Sequence, residues 1–191
     1  WHPMSFNPQT GLAYLPSQHV PINLMDDKDW KFNEDVPGRP HAGLGWNLAK
    51  FANVEPPKSK PFGRLVAWDP VAQKEAWGVD YVSPWNGGTL TTAGNLVFQG
   101  TADGRLLAYD ARTGEKLWET PTGTGVVAAP STYMVDGKQY VSVAVGWGGV
   151  YGLAQRATER QGPGTVYTFA VGGTAKMPDF VQYRMDKLVQ G

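Results

Sequence analysis

The chain has 191 residues, 41% of them hydrophobic, with 17 basic and 17 acidic side chains and a formal net charge of zero. That length allows one domain with a sizeable core, and the balanced charge supplies no global field to draw in nucleic acid or an anionic membrane surface. Cysteine is absent, which excludes disulfides, thiolate metal sites and cysteine nucleophiles within the chain and leaves the redox compartment open.

The content of 24 Gly, 15 Pro and 8 Trp interrupts helices often and supplies large rigid rings for packing, so the sequence predicts an all-β chain of short strands and tight turns. No run of about 18 apolar residues occurs, so the chain is not expected to span a membrane. The opening Trp1-His2-Pro3-Met4-Ser5-Phe6 has neither the basic nor the apolar region of a signal peptide, and it begins without Met on strand-forming residues, as a fragment would.

In chain order, Met4 to Asn7 and Leu12 to Pro16 read as two strands, followed by a long insertion over 18–62 that carries several Pro and Asp26-Asp27. Gly63 to Trp68 and Lys74 to Trp77 complete this first set. A second set comprises Gly88 to Ala93, Asn95 to Gly100, Leu106 to Tyr109 and Glu115 to Trp118. A third begins at Ala128 to Val135, turns at Asp136-Gly137, continues through Gln139 to Val145 and resumes at Thr165 to Val171. No outer strand follows it, and in a ring of such sets the missing strand can come from the other end of the chain. Residues 174–191 read as a C-terminal linker with weak helix from Asp179, which leaves 1–173 as the folded part.

An internal repeat sets the architecture. GRLVAWDPVAQKEAW at 63–77 aligns with GRLLAYDARTGEKLW at 104–118, so Asp69 and Trp77 recur 41 residues on as Asp110 and Trp118. That is the length of one four-stranded blade of a β-propeller. Asp110 is placed to bind nearby backbone N–H groups, Thr113-Gly114 supplies the turn, and a Trp on the outer strand can pack against the neighbouring blade and bond through its indole N–H. In the first copy Pro70-Val71-Ala72-Gln73 replaces the Thr-Gly turn. The chain is thus expected to be a β-propeller fragment of about two and a half four-stranded blades, with an apolar face exposed at each broken end.

Other chemistry finds little support. His2, His19 and His41 match no metal-binding spacing. Asp26, Asp27 and Asp29 lack the glycine and distal glutamate of a calcium loop. Gly146-Trp147-Gly148-Gly149 lacks the ending of a phosphate loop, and no serine nucleophile elbow is present.

The residues Ala108, Asp110, Thr113, Gly114 and Trp118 form the pattern that resembles the tryptophan-docking motif of quinoprotein propellers. That motif also occurs in non-catalytic propellers used for protein binding or outer-membrane assembly, so alone it leaves enzyme and scaffold both open. WHPMSFNPQTGLAYLP, SPWNGGTLTTAGNLVFQGTADGRLLAYD and YVSVAVGWGGVYG go further: they resemble the alcohol dehydrogenases that depend on pyrroloquinoline quinone (PQQ). The tail AVGGTAKMPDF is similar to the end of the eight-bladed propeller in members that continue into a cytochrome c domain.

This resemblance implies PQQ-dependent oxidation of a primary alcohol in the periplasm, with electrons leaving through a cytochrome. It implies PQQ near the propeller axis, calcium on its quinone side, an Asp that accepts the alcohol proton, and hydride passing to the quinone. Calcium ligands, catalytic Asp and most of the cofactor site would lie on blades outside this chain, and haem c, where present, in a further domain. Within the chain it implies cofactor-facing roles for Trp1, for Asn86 in the Trp85-Asn86-Gly87-Gly88 turn, and for Trp147, Gly148 and Gly149. Trp77 and Trp118 are read as packing residues, and no catalytic or metal-binding residue is expected here.

Overall fold

The computed structural model describes residues 2–21, 58–146, 148 and 164–178. Backbone proximity divides the chain into one unit of 1–19 with 61–191 and another of 20–60; the strands belong to the first. They are β1 (Ser5–Asn7), β2 (Leu12–His19), β3 (Phe62–Asp69), β4 (Lys74–Tyr81), β5 (Thr89–Thr91), β6 (Leu96–Thr101), β7 (Arg105–Asp110), β8 (Lys116–Pro121), β9 (Ser131–Val135), β10 (Lys138–Val145) and β11 (Thr165–Ala170).

They form three antiparallel meanders, β1-β2-β3-β4, β5-β6-β7-β8 and β9-β10-β11. The three strand sets expected from the sequence are therefore present as three blades, the third with three strands among the described residues. The first blade's middle strands run further than expected: Gln18 and His19 pair with Gly63 and Phe62, so Gln18, His19 and Phe62, expected in the insertion over 18–62, belong to the strands. The weak helix expected from Asp179 lies outside the described residues.

Strand alternation gives each blade two apolar faces. Leu12, Tyr14, Leu65, Ala67 and Tyr81 of the first blade pack with Val97, Leu107, Tyr109 and Ala111 of the second. The next residue along β7, Leu106, turns the other way and packs with Val126, Val143 and Val145, joined by Tyr167 and Phe169. One strand thus serves two cores, each residue reporting its blade neighbour by its parity.

The repeat extends to details that letters alone do not show. Ala67 pairs with Trp77 and Ala108 with Trp118, and in both copies a bulge follows directly. Asp69 Oδ1 accepts from the backbone N–H of Val71 and Ala72, and Asp110 Oδ1 from Arg112 and Thr113, all at 2.8–2.9 Å. Gly114 has φ +74° and its counterpart Gln73 has φ +54°, so the same left-handed turn closes both hairpins although only one has glycine.

Docking by tryptophan is visible between the first and second blades. The Trp77 indole N–H donates to the Ala111 carbonyl at 3.1 Å, and the ring lies so close to Gly114 that a Cβ there would stand 2.6 Å from it. Trp118, one repeat later, meets Phe169 of the third blade edge-on at 5.4 Å between ring centres. Both packing expectations hold.

The far faces are uncovered, as the sequence implied for a broken propeller. Met4 and Phe6 are 64% and 55% exposed at the first blade, and Val166 is 69% exposed at the third.

Gly114→Ala should therefore destabilise the protein by about 2 kcal/mol, from left-handed backbone strain with displacement of the Trp77 ring, read as a lower midpoint in thermal unfolding. The two backbone N–H groups that Asp110 accepts hold its carboxyl below the usual carboxylate range. A depressed folded pKa contributes stability that is present above the unfolded pKa and lost as pH falls through the folded one. Asp110→Asn should lower the melting temperature at neutral pH, and the gap from wild type should close in strongly acidic buffer.

Candidate functional site

The turn from Ser83 to Gly88 connects β4 to β5 and carries the described site candidate Asn86. Proline at 84 and glycines at 87 and 88 keep this segment out of any ladder, so its backbone groups must find partners one by one. Gly87 N–H donates to the Gly100 carbonyl at 2.8 Å. The Gly87 carbonyl accepts from Gln99 Nε2 at 2.8 Å.

Asn86 itself is 4% exposed. Its Nδ2 donates to the Ser83 carbonyl at 2.6 Å and its Oδ1 accepts from the Ala102 backbone N–H at 3.0 Å. The side chain thus clasps its own turn and ties it to the β6–β7 connection. Directly opposite stands Gly63, where a Cβ would lie 2.3 Å from the Asn86 amide nitrogen.

The two glycines after Asn86 are required by protein packing. A Cβ at Gly87 would lie 2.5 Å from the Ala128 carbonyl oxygen, and one at Gly88 would lie 2.6 Å from the Pro3 ring and 2.8 Å from the Ala129 Cβ. Thr89 N–H then donates to the Pro3 carbonyl at 2.9 Å, while Thr89 Oγ1 bonds to the Tyr14 carbonyl at 3.0 Å. The start of the chain, this turn and the segment 126–129 are consequently fixed against one another.

His2 joins the same neighbourhood. Its ring meets Trp85 edge-on at 6.5 Å between centres, and its Nδ1 lies 3.0 Å from the Gln18 amide nitrogen. With Gln18 as donor, Nε2 carries the proton; it is buried without a hydrogen-bond partner. Burial pushes the imidazole pKa down, favouring the uncharged ring. Sequence reasoning weighed His2 only as a metal ligand and missed this contact; its position two residues from the candidate strand β1 was the one available signal.

The remaining candidates divide by what is described. Gly148 is exposed, with no atom of the described residues within 4 Å of the position of a Cβ. Trp1, Trp147 and Gly149 lie outside the described residues. Among the described residues no group of three His, Asp or Glu side chains could hold a metal ion.

The described residues, tested against PQQ, do not make a cradle for it. The Asn86 amide is engaged with the protein at both ends, and the space at Gly87 and Gly88 is filled by backbone and Pro3. They form a rigid support on which cofactor-facing groups could be mounted.

If Asn86 holds the turn through its amide, Asn86→Ala should remove its bonds to the Ala102 N–H and the Ser83 carbonyl, costing about 1–3 kcal/mol. Amide hydrogen exchange at Ala102 should accelerate in the variant, while exchange in β10 stays as in wild type.

Comparison with known proteins places this architecture. Residues 1–141 match the family model described as glucose/ethanol/alcohol dehydrogenase, beta-propeller domain, named PQQ. The quinohemoprotein alcohol dehydrogenase of Comamonas testosteroni is 80% identical over 191 residues, which is all of this chain and 27% of that protein. The 1-butanol dehydrogenase (cytochrome c) of Thauera butanivorans is 65% identical over the whole chain and 28% of its own length. The chain thus spans about a quarter of the length of these relatives. The crystal structure of the Comamonas enzyme superposes with a TM-score of 0.80 over 95% of this chain, at 78% identity. A europium-containing methanol dehydrogenase gives 0.57 over 80% at 29% identity. The chain belongs to the PQQ-type alcohol dehydrogenase β-propeller family and forms part of such a propeller.

Proposed function

We propose that this chain is part of a periplasmic, PQQ-dependent enzyme that oxidises primary alcohols to aldehydes and passes the electrons to a cytochrome. The observation that carries the reading is 80% identity to a quinohemoprotein alcohol dehydrogenase across every residue of the chain. The name of the Thauera relative, a 1-butanol dehydrogenase linked to cytochrome c, supports both the alcohol and the acceptor. Calcium beside the cofactor and haem c in a further domain belong to the same proposal, with ligands outside this chain.

PQQ, when bound, supplies the electron-accepting quinone. Part of this chain's contribution is mechanical: the Asn86 clasp and the Pro3–Thr89 bond fix the turn beside Trp85, and the inter-blade cores pack the blades that carry it. Preorganisation of this kind lets binding energy go into the reaction rather than into ordering a loop. Trp1 and Trp147, with Gly148 and Gly149, are the residues proposed to face the cofactor. The uncovered faces of the first and third blades are proposed to meet the remaining blades of the full-length protein.

The test is dye-linked alcohol oxidation by the full-length gene product reconstituted with PQQ and calcium, with PQQ binding measured in parallel. Wild type should oxidise primary alcohols, and Trp1→Ala should lose both turnover and cofactor affinity. The 191-residue chain by itself should be inactive under the same conditions. A folded full-length protein that neither binds PQQ nor oxidises alcohols would favour a non-catalytic propeller.

A further inference from the structure

The 41-residue repeat allows each position on the uncovered face of the first blade to be matched with a position on the covered face of the second. Strand pairing aligns Phe6, Ala13 and Trp68 in one row, and Leu15 with Val66 in the next. In the second blade the corresponding rows are Thr91, Val97 and Tyr109, and Gln99 with Leu107. Val97, Gln99, Leu107 and Tyr109 are each at most 2% exposed, and Val97, Leu107 and Tyr109 pack in one core with the first blade. Their counterparts are less covered: Ala13, Leu15 and Val66 are half-buried and Trp68 is 37% exposed, with Phe6, in the same row as Trp68, 55% exposed.

The face therefore has the register of an inter-blade seam, but its docking turn is different. At the seam between the first and second blades, the indole of Trp77 uses the Ala111 carbonyl as acceptor and the missing side chain of Gly114 as floor. One repeat earlier, the acceptor position is Pro70 and the floor position is Gln73. Gln73 sits in the same left-handed conformation as Gly114, so its Cβ projects where the docked ring would lie, at a separation no side chain tolerates. In compensation the face carries an indole of its own, Trp68, where the second blade has Tyr109.

We propose that the seam on the first blade's uncovered face reverses the docking rule: the sheet formed by the segment preceding Trp1 in the longer protein docks no tryptophan on the 69–73 turn, and Trp68 anchors the seam instead. The occupant is the preceding sheet of the same polypeptide, because the described blades pack in sequence order and about three quarters of the related proteins' length lies outside this chain. The inference rests on reading the chain as part of a longer propeller.

The test uses the full-length protein. Its crystal structure should show Trp68 buried under a neighbouring sheet, and no indole nitrogen within hydrogen-bonding distance of the Pro70 carbonyl. In thermal unfolding, Trp68→Ala should lower the midpoint by several degrees. Gln73→Gly should leave it unchanged or raise it, because no ring waits to fill the space and backbone strain is relieved. Gly114→Gln, the reverse exchange at the other seam, should lower it. An indole bonded to Pro70, or a clear loss of stability in Gln73→Gly, overturns the proposal while leaving the longer propeller intact. A Trp68 that remains exposed in the full-length structure overturns the longer propeller reading as well.

Discussion

The contact on which this structure depends is that of one sheet face upon the next, and the Trp77 indole shows what it demands. The ring needs a carbonyl at the right height and a residue without a Cβ beneath it. Both come from one turn, Ala111 to Gly114, which exists because Asp110 accepts two consecutive N–H groups and Gly114 takes a positive φ. A charge, a turn and a ring on another blade are thereby coupled. Buried area supplies most of the free energy at such a seam, whereas the indole hydrogen bond fixes the register at which that area is buried.

The same coupling explains why the architecture was legible from the sequence. The residues that repeat at 41 are those that close the hairpin and dock on the next blade, so their spacing encodes both the local turn and the long-range contact. Strand alternation then assigned the faces, as Leu106 and Leu107 show by packing into different cores. Strand ends were less legible. β2 continues to His19 because Phe62, far along the chain, pairs with it, and the composition around Gln18 gives no hint of that partner.

The site was less legible for a related reason. An Asn followed by two glycines reads equally well as a presented ligand and as a turn residue. What distinguishes the two is the partner of its amide, and that partner is the N–H of Ala102, 16 residues away. The glycines were equally ambiguous: the open space that invites a cofactor in a sequence reading is occupied by the Ala128 carbonyl and the Pro3 ring. His2 shows the opposite failure, since its environment is built from Gln18 and Trp85, neither of which a metal-spacing search considers.

A turn fixed in this way has a consequence for how a site assembled from several blades can work. Besides the Asn86–Ser83 bond within it, the turn from Ser83 to Thr89 is held by bonds to other elements: β6 through Gln99 and Gly100, the β6–β7 connection through Ala102, β2 through Tyr14, and the chain start through Pro3. The position of Trp85 is thus set both by the clasp within the turn and by the mutual arrangement of the first two blades. A shift at an inter-blade seam therefore reaches the turn through these bonds. Precision at such a site is a property of the seams, which is why the packing tryptophans, remote from any chemistry, belong to its physical basis.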